Sequence, residues 1–425
     1  MITAAAKIEF PRYESYRDSG VDWLGEIPSH WELANIRSFT RLKADRGQPD
    51  LDILSVYREY GVIPKDSRDD NHNATSLDTS NYKVVEPGDL VVNKMKAWQG
   101  SMGISEHQGL VSPAYITCET RPDRIYPKFA HYLLRSKVYI STYSSLSYGV
   151  RVGQWDMHYE DFKKIPTPLP TLDEQQRIAN FLDEKAAEID EAIGKKQRLI
   201  ALLKEQKAIL INQWFQTTEK PILLKRFLKR IEQGWSPDCS DSSGLPSGWG
   251  VLTAGCVNGG TYYQDRYKPL PARLTPRPSI EVKKGDILMS RANGSLDLIG
   301  SAAYVHETEP GRMFSDKIFR LVPNHEMVIP ELLAIALGTP DAREQIVAAV
   351  SGAGGLANNI GMGSIRNLTI SIPQSLSSQN ELLAKVKDLN SSQATITSSL
   401  TEQIKQLKEF KQILIAHAVT GKIKI

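Results

Sequence analysis

Five stretches of this 425-residue chain offer cations, amides or aromatics that could engage a polyanion. In the first half they are Asn93-Lys94-Met95-Lys96-Ala97-Trp98-Gln99-Gly100 and Ser147-Tyr148-Gly149-Val150-Arg151-Val152-Gly153-Gln154-Trp155. Lys94, Lys96 and Arg151 can neutralise phosphates; Asn93, Gln99 and Gln154 can pair with base edges; Trp98 and Tyr148 offer aromatic surface. In the second half, Tyr262–Lys268 supplies Tyr263, Gln264, Arg266 and Lys268, and Ser290–Gly294 supplies Arg291 and Asn293. A glycine-rich loop, Ser351–Asn359, ends in Asn358 and Asn359 and stands where Ser147–Trp155 stood. Any one of these reads as an ordinary polar loop. Their recurrence at equivalent places in two halves of one chain makes them candidate nucleic-acid contacts.

Signatures of catalysis do not accompany them. No phosphate-binding Gly-Lys-[Ser/Thr] loop is present, and Thr420-Gly421-Lys422 lacks a glycine at the required distance. No Asn/Asp-Pro-Pro-aromatic tetrapeptide of a base-amino methyltransferase occurs, and no glycine-rich turn opens a helix as a dinucleotide fold needs. The eight histidines are scattered, and no metal site is expected. Asp265 with Glu281-Val282-Lys283 resembles a metal-dependent nuclease cluster. Lys283-Lys284-Gly285-Asp286 is more simply a turn entering a strand, matching Glu86-Pro87-Gly88-Asp89 where no such triad exists. The expectation is a chain without catalytic residues or a cofactor of its own.

A net charge of +3 and a sequence pI near 8.5 permit a nucleic-acid partner without demanding one. Cys118, Cys239 and Cys256 are far apart, which suits a reducing compartment. With no signal-peptide core and no apolar run of membrane-spanning length, a soluble, cytoplasmic protein is expected.

The elements that must position these loops come from an internal repeat. Lys204-Glu205-Gln206-Lys207-Ala208-Ile209-Leu210-Ile211 recurs as Lys408-Glu409-Phe410-Lys411-Gln412-Ile413-Leu414-Ile415, an offset of 204. The same offset sets Gln175 on Gln379. Pro28-Ser29-His30-Trp31 and Pro246-Ser247-Gly248-Trp249 offer a further anchor, at an offset of 218. Each repeat is thus a globular stretch followed by a long helix.

Heptad spacing predicts that Leu182, Ile189, Ile193, Ile200, Leu203 and Leu210 pack along the first helix. Leu383, Val386, Leu400, Ile404, Leu407 and Leu414 pack along the second. Thr171 and Asp173 offer caps for the first. Its acidic first half favours an antiparallel pair, beside Lys405, Lys408 and Lys411 of the second helix. A third row, Leu382, Leu389, Ile396 and Phe410, leaves apolar surface for a partner.

The fold class expected is α+β: two globular mixed α/β domains separated by two long antiparallel coiled-coil helices, with a pseudo-two-fold internal repeat. The divisions fall at residues 1–170, 171–215, 216–372 and 373–425. Phe129–Val138 reads as one helix, and Ile165-Pro166-Thr167-Pro168-Leu169-Pro170 as a stiff spacer closing the first domain.

The chain resembles the specificity subunits of type I restriction–modification systems over essentially its whole length. Gly25–Trp31, Gly88–Met95, Ile165–Pro170 with Glu174-Gln175, and the duplicated helices carry the resemblance. The second copy departs from the pattern at Ser377-Ser378-Gln379 and Ser290-Arg291-Ala292. The resemblance implies two target-recognition domains, each reading a few base pairs of an asymmetric, interrupted site in double-stranded DNA. It implies helices that dock two methylation subunits, which bind S-adenosylmethionine, with restriction subunits joining that core. Competing readings are a stand-alone bipartite DNA binder, a coiled-coil adaptor without a modification partner, and a nuclease.

Overall fold

The computed structural model describes residues 10–48, 50–68, 79–151, 154–216, 220–239, 248–350 and 358–425, with the backbone but not the side chains of Val150, Arg151 and Gln154. The chain forms two compact units. One comprises residues 1–196 and 401–425, the other residues 197–400.

In the first unit, β1 (Glu32–Asn35) leads through a short turn into β2 (Thr40–Lys43). β3 (Leu90–Val92), β4 (Met102–Ile104) and β5 (Ile116–Thr120) complete an antiparallel sheet of order β2-β5-β3-β4. β3 is buried along its whole length, which is why it reads as an unbroken apolar run rather than an alternation. Helices α1 (Pro127–Leu134) and α2 (Lys137–Leu146) follow, then a hairpin of β6 (Ser147–Arg151) and β7 (Gln154–Met157). The expected single helix over Phe129–Val138 is therefore two. The chain breaks at Arg135–Ser136, where Ser136 adopts extended backbone and its carbonyl accepts from the Ile140 amide.

β8 (Pro166–Leu169) corrects the spacer reading. It pairs antiparallel with β1, Thr167 opposite Ala34. Prolines are tolerated because β8 lies at the edge of a two-stranded ladder, where a missing donor costs little. α3 (Leu172–Gln216) starts three residues later and runs for 45 residues. The Glu174 amide donates to Thr171 Oγ1 (3.4 Å), so Thr171 caps it; Asp173 lies inside the first turn and does not.

The second unit repeats this order. β9 (Ile222–Leu223) leads through a turn into β10 (Leu228–Gln233). With β11 (Ile287–Ser290), β12 (Ala302–Tyr304) and β13 (Ile318–Pro323) this forms a sheet of order β10-β13-β11-β12. Helices α4 (Pro330–Ala336) and α5 (Pro340–Ala348) match α1 and α2. β14 (Thr369–Ile370) pairs with β9 as β8 pairs with β1, and α6 (Leu376–Val419) follows for 44 residues. A second small sheet sets Gly250–Leu252 between Tyr267–Pro269 and Arg312–Phe314, as in the first unit Leu54–Tyr57 pairs with Gly61–Pro64 and Ile53 bridges parallel to Leu110.

That order overturns one anchor of the repeat. Trp31 is buried and enters β1, whose partner is the strand before the long helix. Trp249 instead enters Gly250–Leu252, after β10 and in a different sheet, and Pro246 and Ser247 lie outside the described residues. The counterpart of β1 is β9, so Phe39 matches Phe227, and the likeness of the two Pro-Ser-x-Trp sequences is not structural equivalence.

Within the first unit Lys411 Nζ meets Asp190 Oδ2 at 2.7 Å and Lys196 Nζ donates to Gln403 Oε1 at 2.7 Å. Position rises along α3 as it falls along α6, so the segments are antiparallel, and the expected acidic–basic pairing holds at Asp190. In the second unit Phe215, with Ile211 and Trp214 against it, shares a core with Leu382, Leu383 and Val386. None of the twelve predicted packing residues is exposed: Leu182, Ile189, Ile193, Leu383, Val386, Leu400 and Leu414 are buried, and Ile200, Leu203, Leu210, Ile404 and Leu407 half-buried.

Candidate nucleic-acid interface

The central strand of each unit is entered in the same way. Gly88 and Gly285 take positive φ (95° and 96°), which an L side chain resists. In the next residue Asp89 Oδ2 accepts the Glu86 amide (2.8 Å), and Asp286 Oδ2 accepts the Lys283 amide (2.9 Å). A cation from the same sheet holds each carboxylate: Lys43 of β2 at 2.8 Å from Asp89, Arg320 of β13 at 3.2 Å from Asp286. With the entry anchored, the opposite ends of β3 and β11 deliver their loops from fixed points.

In the first unit the loop after β3 is a 3-10 turn, Lys94–Gln99, closed by Gly100 at φ 84°. The structure brings it against the β6–β7 hairpin. Lys94 Nζ lies 3.2 Å from Asp156 Oδ2, and the Trp98 and Trp155 rings meet edge to face at 5.2 Å. Tyr148 pairs across the hairpin with Asp156 and stacks on His158 at 4.9 Å. Lys96 is exposed; Trp98 and Gln99 are half-buried. Arg151 and Gln154 are backbone partners at the hairpin end, and Val152 and Gly153 lie outside the described residues.

Asn93 requires a correction. It is 6% exposed and donates to the Tyr115 hydroxyl at 3.3 Å, so it supports the turn from beneath rather than presenting its amide outward.

In the second unit most candidates also converge. Arg266 lies over the Tyr263 ring at 4.1 Å and donates to the Gly255 carbonyl at 3.0 Å. Asn258, close by, accepts from Asn293 Nδ2 at 3.2 Å. Asn359 bridges to Ala292, and the Ile360 amide donates to the Arg291 carbonyl at 3.0 Å, with Asn358 half-buried beside them. Ser351–Ala357 lie outside the described residues. Arg291 is half-buried, donating to the Asp316 carbonyl. Two candidates stand apart: Gln264 accepts the Glu309 amide at 2.9 Å, and Lys268 is exposed on the Tyr267–Pro269 strand. Asn258 was not legible, because only folding brings its short turn beside Asn293.

The residues joining each globular part to its helix were missed as well. Gln175 Oε1 accepts the Tyr126 amide (2.8 Å), while its Nε2 donates to the carbonyls of Arg124 (3.1 Å) and Pro170 (3.0 Å). Gln379 repeats this with the Ile329 amide (2.8 Å) and the carbonyls of Met327 (2.9 Å) and Pro373 (2.8 Å). The signal was present: a glutamine duplicated at an offset of 204. In the first unit alone, buried Glu174 also accepts from Tyr13 (2.6 Å), Trp31 (3.2 Å) and His30 (3.0 Å). Farther along, Lys128 pairs with Asp183 at 2.7 Å, whereas Glu331 pairs with Lys387 at 2.6 Å: the same two positions with polarity reversed.

Among the described residues no group of three His, Cys, Asp or Glu could hold an ion, and Glu281 of the nuclease-like cluster is engaged by the Gly311 amide at 2.7 Å. Burial pushes the Cys118 and Cys256 thiols up to about 12. Among the described residues no helix is long and apolar enough to cross a membrane.

Residues 28–200 match the family model of the type I restriction modification DNA specificity domain. The chain is 23% identical over 427 residues to the type I restriction enzyme EcoKI specificity subunit of Escherichia coli strain K12, covering 94% of this chain and 90% of that one. The EcoEI specificity subunit of Escherichia coli is 31% identical over 147 residues, 34% of this chain and 25% of its own. In fold, the HsdS subunit from Thermoanaerobacter tengcongensis matches with TM-score 0.50 at 15% identity, covering 93% of this chain and 98% of its own. A chain from an assembled type I R-M system matches with TM-score 0.66 at 16% identity, covering 92% and 98%. Residues 28–200 thus carry a type I restriction modification DNA specificity domain, and over most of its length the chain is similar to the specificity subunits of type I restriction–modification systems.

Proposed function

We propose that this chain is the DNA-recognition subunit of such a system, each unit reading one half of an asymmetric, interrupted site. The observation that supports this best is a shared scaffold with unshared loops. β3 ends in a loop bearing Lys94, Lys96, Trp98 and Gln99, and β11 in one bearing Arg291 and Asn293 without an aromatic, so the two loops are not residue-for-residue copies. Two readers with the same loops would demand a palindrome; unlike loops favour unlike half-sites.

The candidate contacts in this reading are Lys94, Lys96, Trp98, Gln99, Tyr148, Arg151 and Gln154 in one unit. In the other they are Tyr263, Arg266, Lys268, Asn293, Asn358 and Asn359, with Asn258 added. The long helices set the gap between half-sites and dock two methylation subunits, to which restriction subunits are added. S-adenosylmethionine and the methylating chemistry belong to those partners, and the chain itself is non-catalytic. Exposed Leu199, Leu202 and Ile209 on α3 and Ile413 on α6 support docking, since single-chain folding leaves them uncovered.

Modified-base sequencing of DNA from cells carrying the methylation partner with and without this chain tests the reading. A two-part, non-palindromic motif appearing only with the chain is expected; no new motif beside an active partner would sink it. Inserting one heptad into Ile193–Leu210 should lengthen the gap, and an unchanged gap would remove the ruler role.

A further inference from the structure

We infer that Met95 and Leu296 are apolar base readers, each meeting the 5-methyl group of a thymine in the major groove of its own half-site. The inference rests on the DNA-reading role proposed above and deepens it. Both residues lie in the link from the central strand to its neighbour: β3 to β4 for Met95, β11 to β12 for Leu296. Both sit in 3-10 turns, and both are large aliphatic side chains left open to solvent, 49% and 45% exposed.

Their surroundings are polar. Met95 stands between Lys94 and Lys96, and its carbonyl is held by the Trp98 indole at 3.1 Å. Leu296 follows Ser295, whose amide donates to Asn293 Oδ1 at 3.4 Å, and its carbonyl accepts the Ile299 amide at 3.2 Å. Neither side chain serves the core of its unit. Exposed apolar residues also recur as Leu172 with Leu376 and Ile209 with Ile413, but those lie on the long helices and not in the loops after the central strands. The pattern is one aliphatic tip per reading loop, set among groups that read donors and acceptors. Thymine's methyl is the apolar feature that the major groove presents, and an aliphatic side chain recognises it by removing both surfaces from water.

The test uses the whole chain with its methylation partner, comparing motifs methylated by the wild type, Met95→Ala, Leu296→Ala and Met95→Leu. Met95→Ala should relax one A·T position in one half of the motif, and Leu296→Ala one A·T position in the other half. Met95→Leu, which keeps an aliphatic tip, should retain the motif. Replacing the thymine by uracil at the relaxed position should weaken duplex binding by the wild type about two- to fivefold, the order expected for one buried methyl. The same replacement should leave the alanine variant unaffected. An unchanged motif in both alanine variants, a relaxed G·C position, or indifference to uracil would overturn the inference. The wild-type motif separates the two levels: if the wild-type chain directs no motif, the DNA-reading role fails first.

Discussion

The two units solve the same packing problem with several of the same buried bonds and differ chiefly where a side chain meets water, buried Glu174 excepted. Sheet order, the carboxylate turn before the central strand and the glutamine clasp at the helix start are common to both. The reading loops, the polarity of the domain–helix ion pair and the contacts at Glu174 and Ser378 are not. The physical reason is that a buried polar group must keep its partners, whereas an exposed one can exchange them at little cost. A duplicated scaffold can therefore stay constant while its surface acquires two specificities.

The comparison breaks first at the clasp. Gln175→Ala and Gln379→Ala each orphan one buried amide and two carbonyls, and each should cost about 2–4 kcal/mol in urea unfolding. Markedly unequal losses would mean that the clasp is shared in geometry but not in energy. Glu174→Ala removes an acceptor from three donors and should cost about 2–3 kcal/mol, while Ser378→Ala costs below about 0.5 kcal/mol. Equal costs would contradict the assignment of that contact to the first unit alone.

Acid should separate the units next. Burial first, then the neighbouring Arg135 guanidinium, hold the His131 imidazole down at about 4, from an ordinary 6.5. Between those values the unfolded chain binds a proton that the folded unit does not, so stability falls as pH drops from about 6.5 to about 4 and levels off below. The loss should be on the order of 1–3 kcal/mol in the first unit. The second has Ala334 at the position matched through Pro127 and Pro330, and His131→Ala should flatten the pH profile of the first, measured by unfolding at stepped pH.

The smallest effect concerns the reversed ion pairs. Lys128→Glu and Glu331→Lys should each cost about 0.2–1 kcal/mol, since these pairs are partly exposed, and Lys128→Glu/Asp183→Lys should restore most of it. Failure of that double variant to recover would show that Tyr132, which also donates to Asp183 at 2.7 Å, and not the charge, sets the contact.

The sequence by itself determined the two long helices and their antiparallel pairing, because heptad spacing and charge act along one continuous element. It also singled out the loops after the central strands, since cation, amide and aromatic composition is local. Only the tertiary structure decided that Asn93 lies beneath its loop, that Asn258 joins Asn293, that Pro166–Leu169 is a strand, and that Trp249 is no counterpart of Trp31. Each of those depends on what a residue packs against or pairs with at long range, and no local pattern of types carries that information.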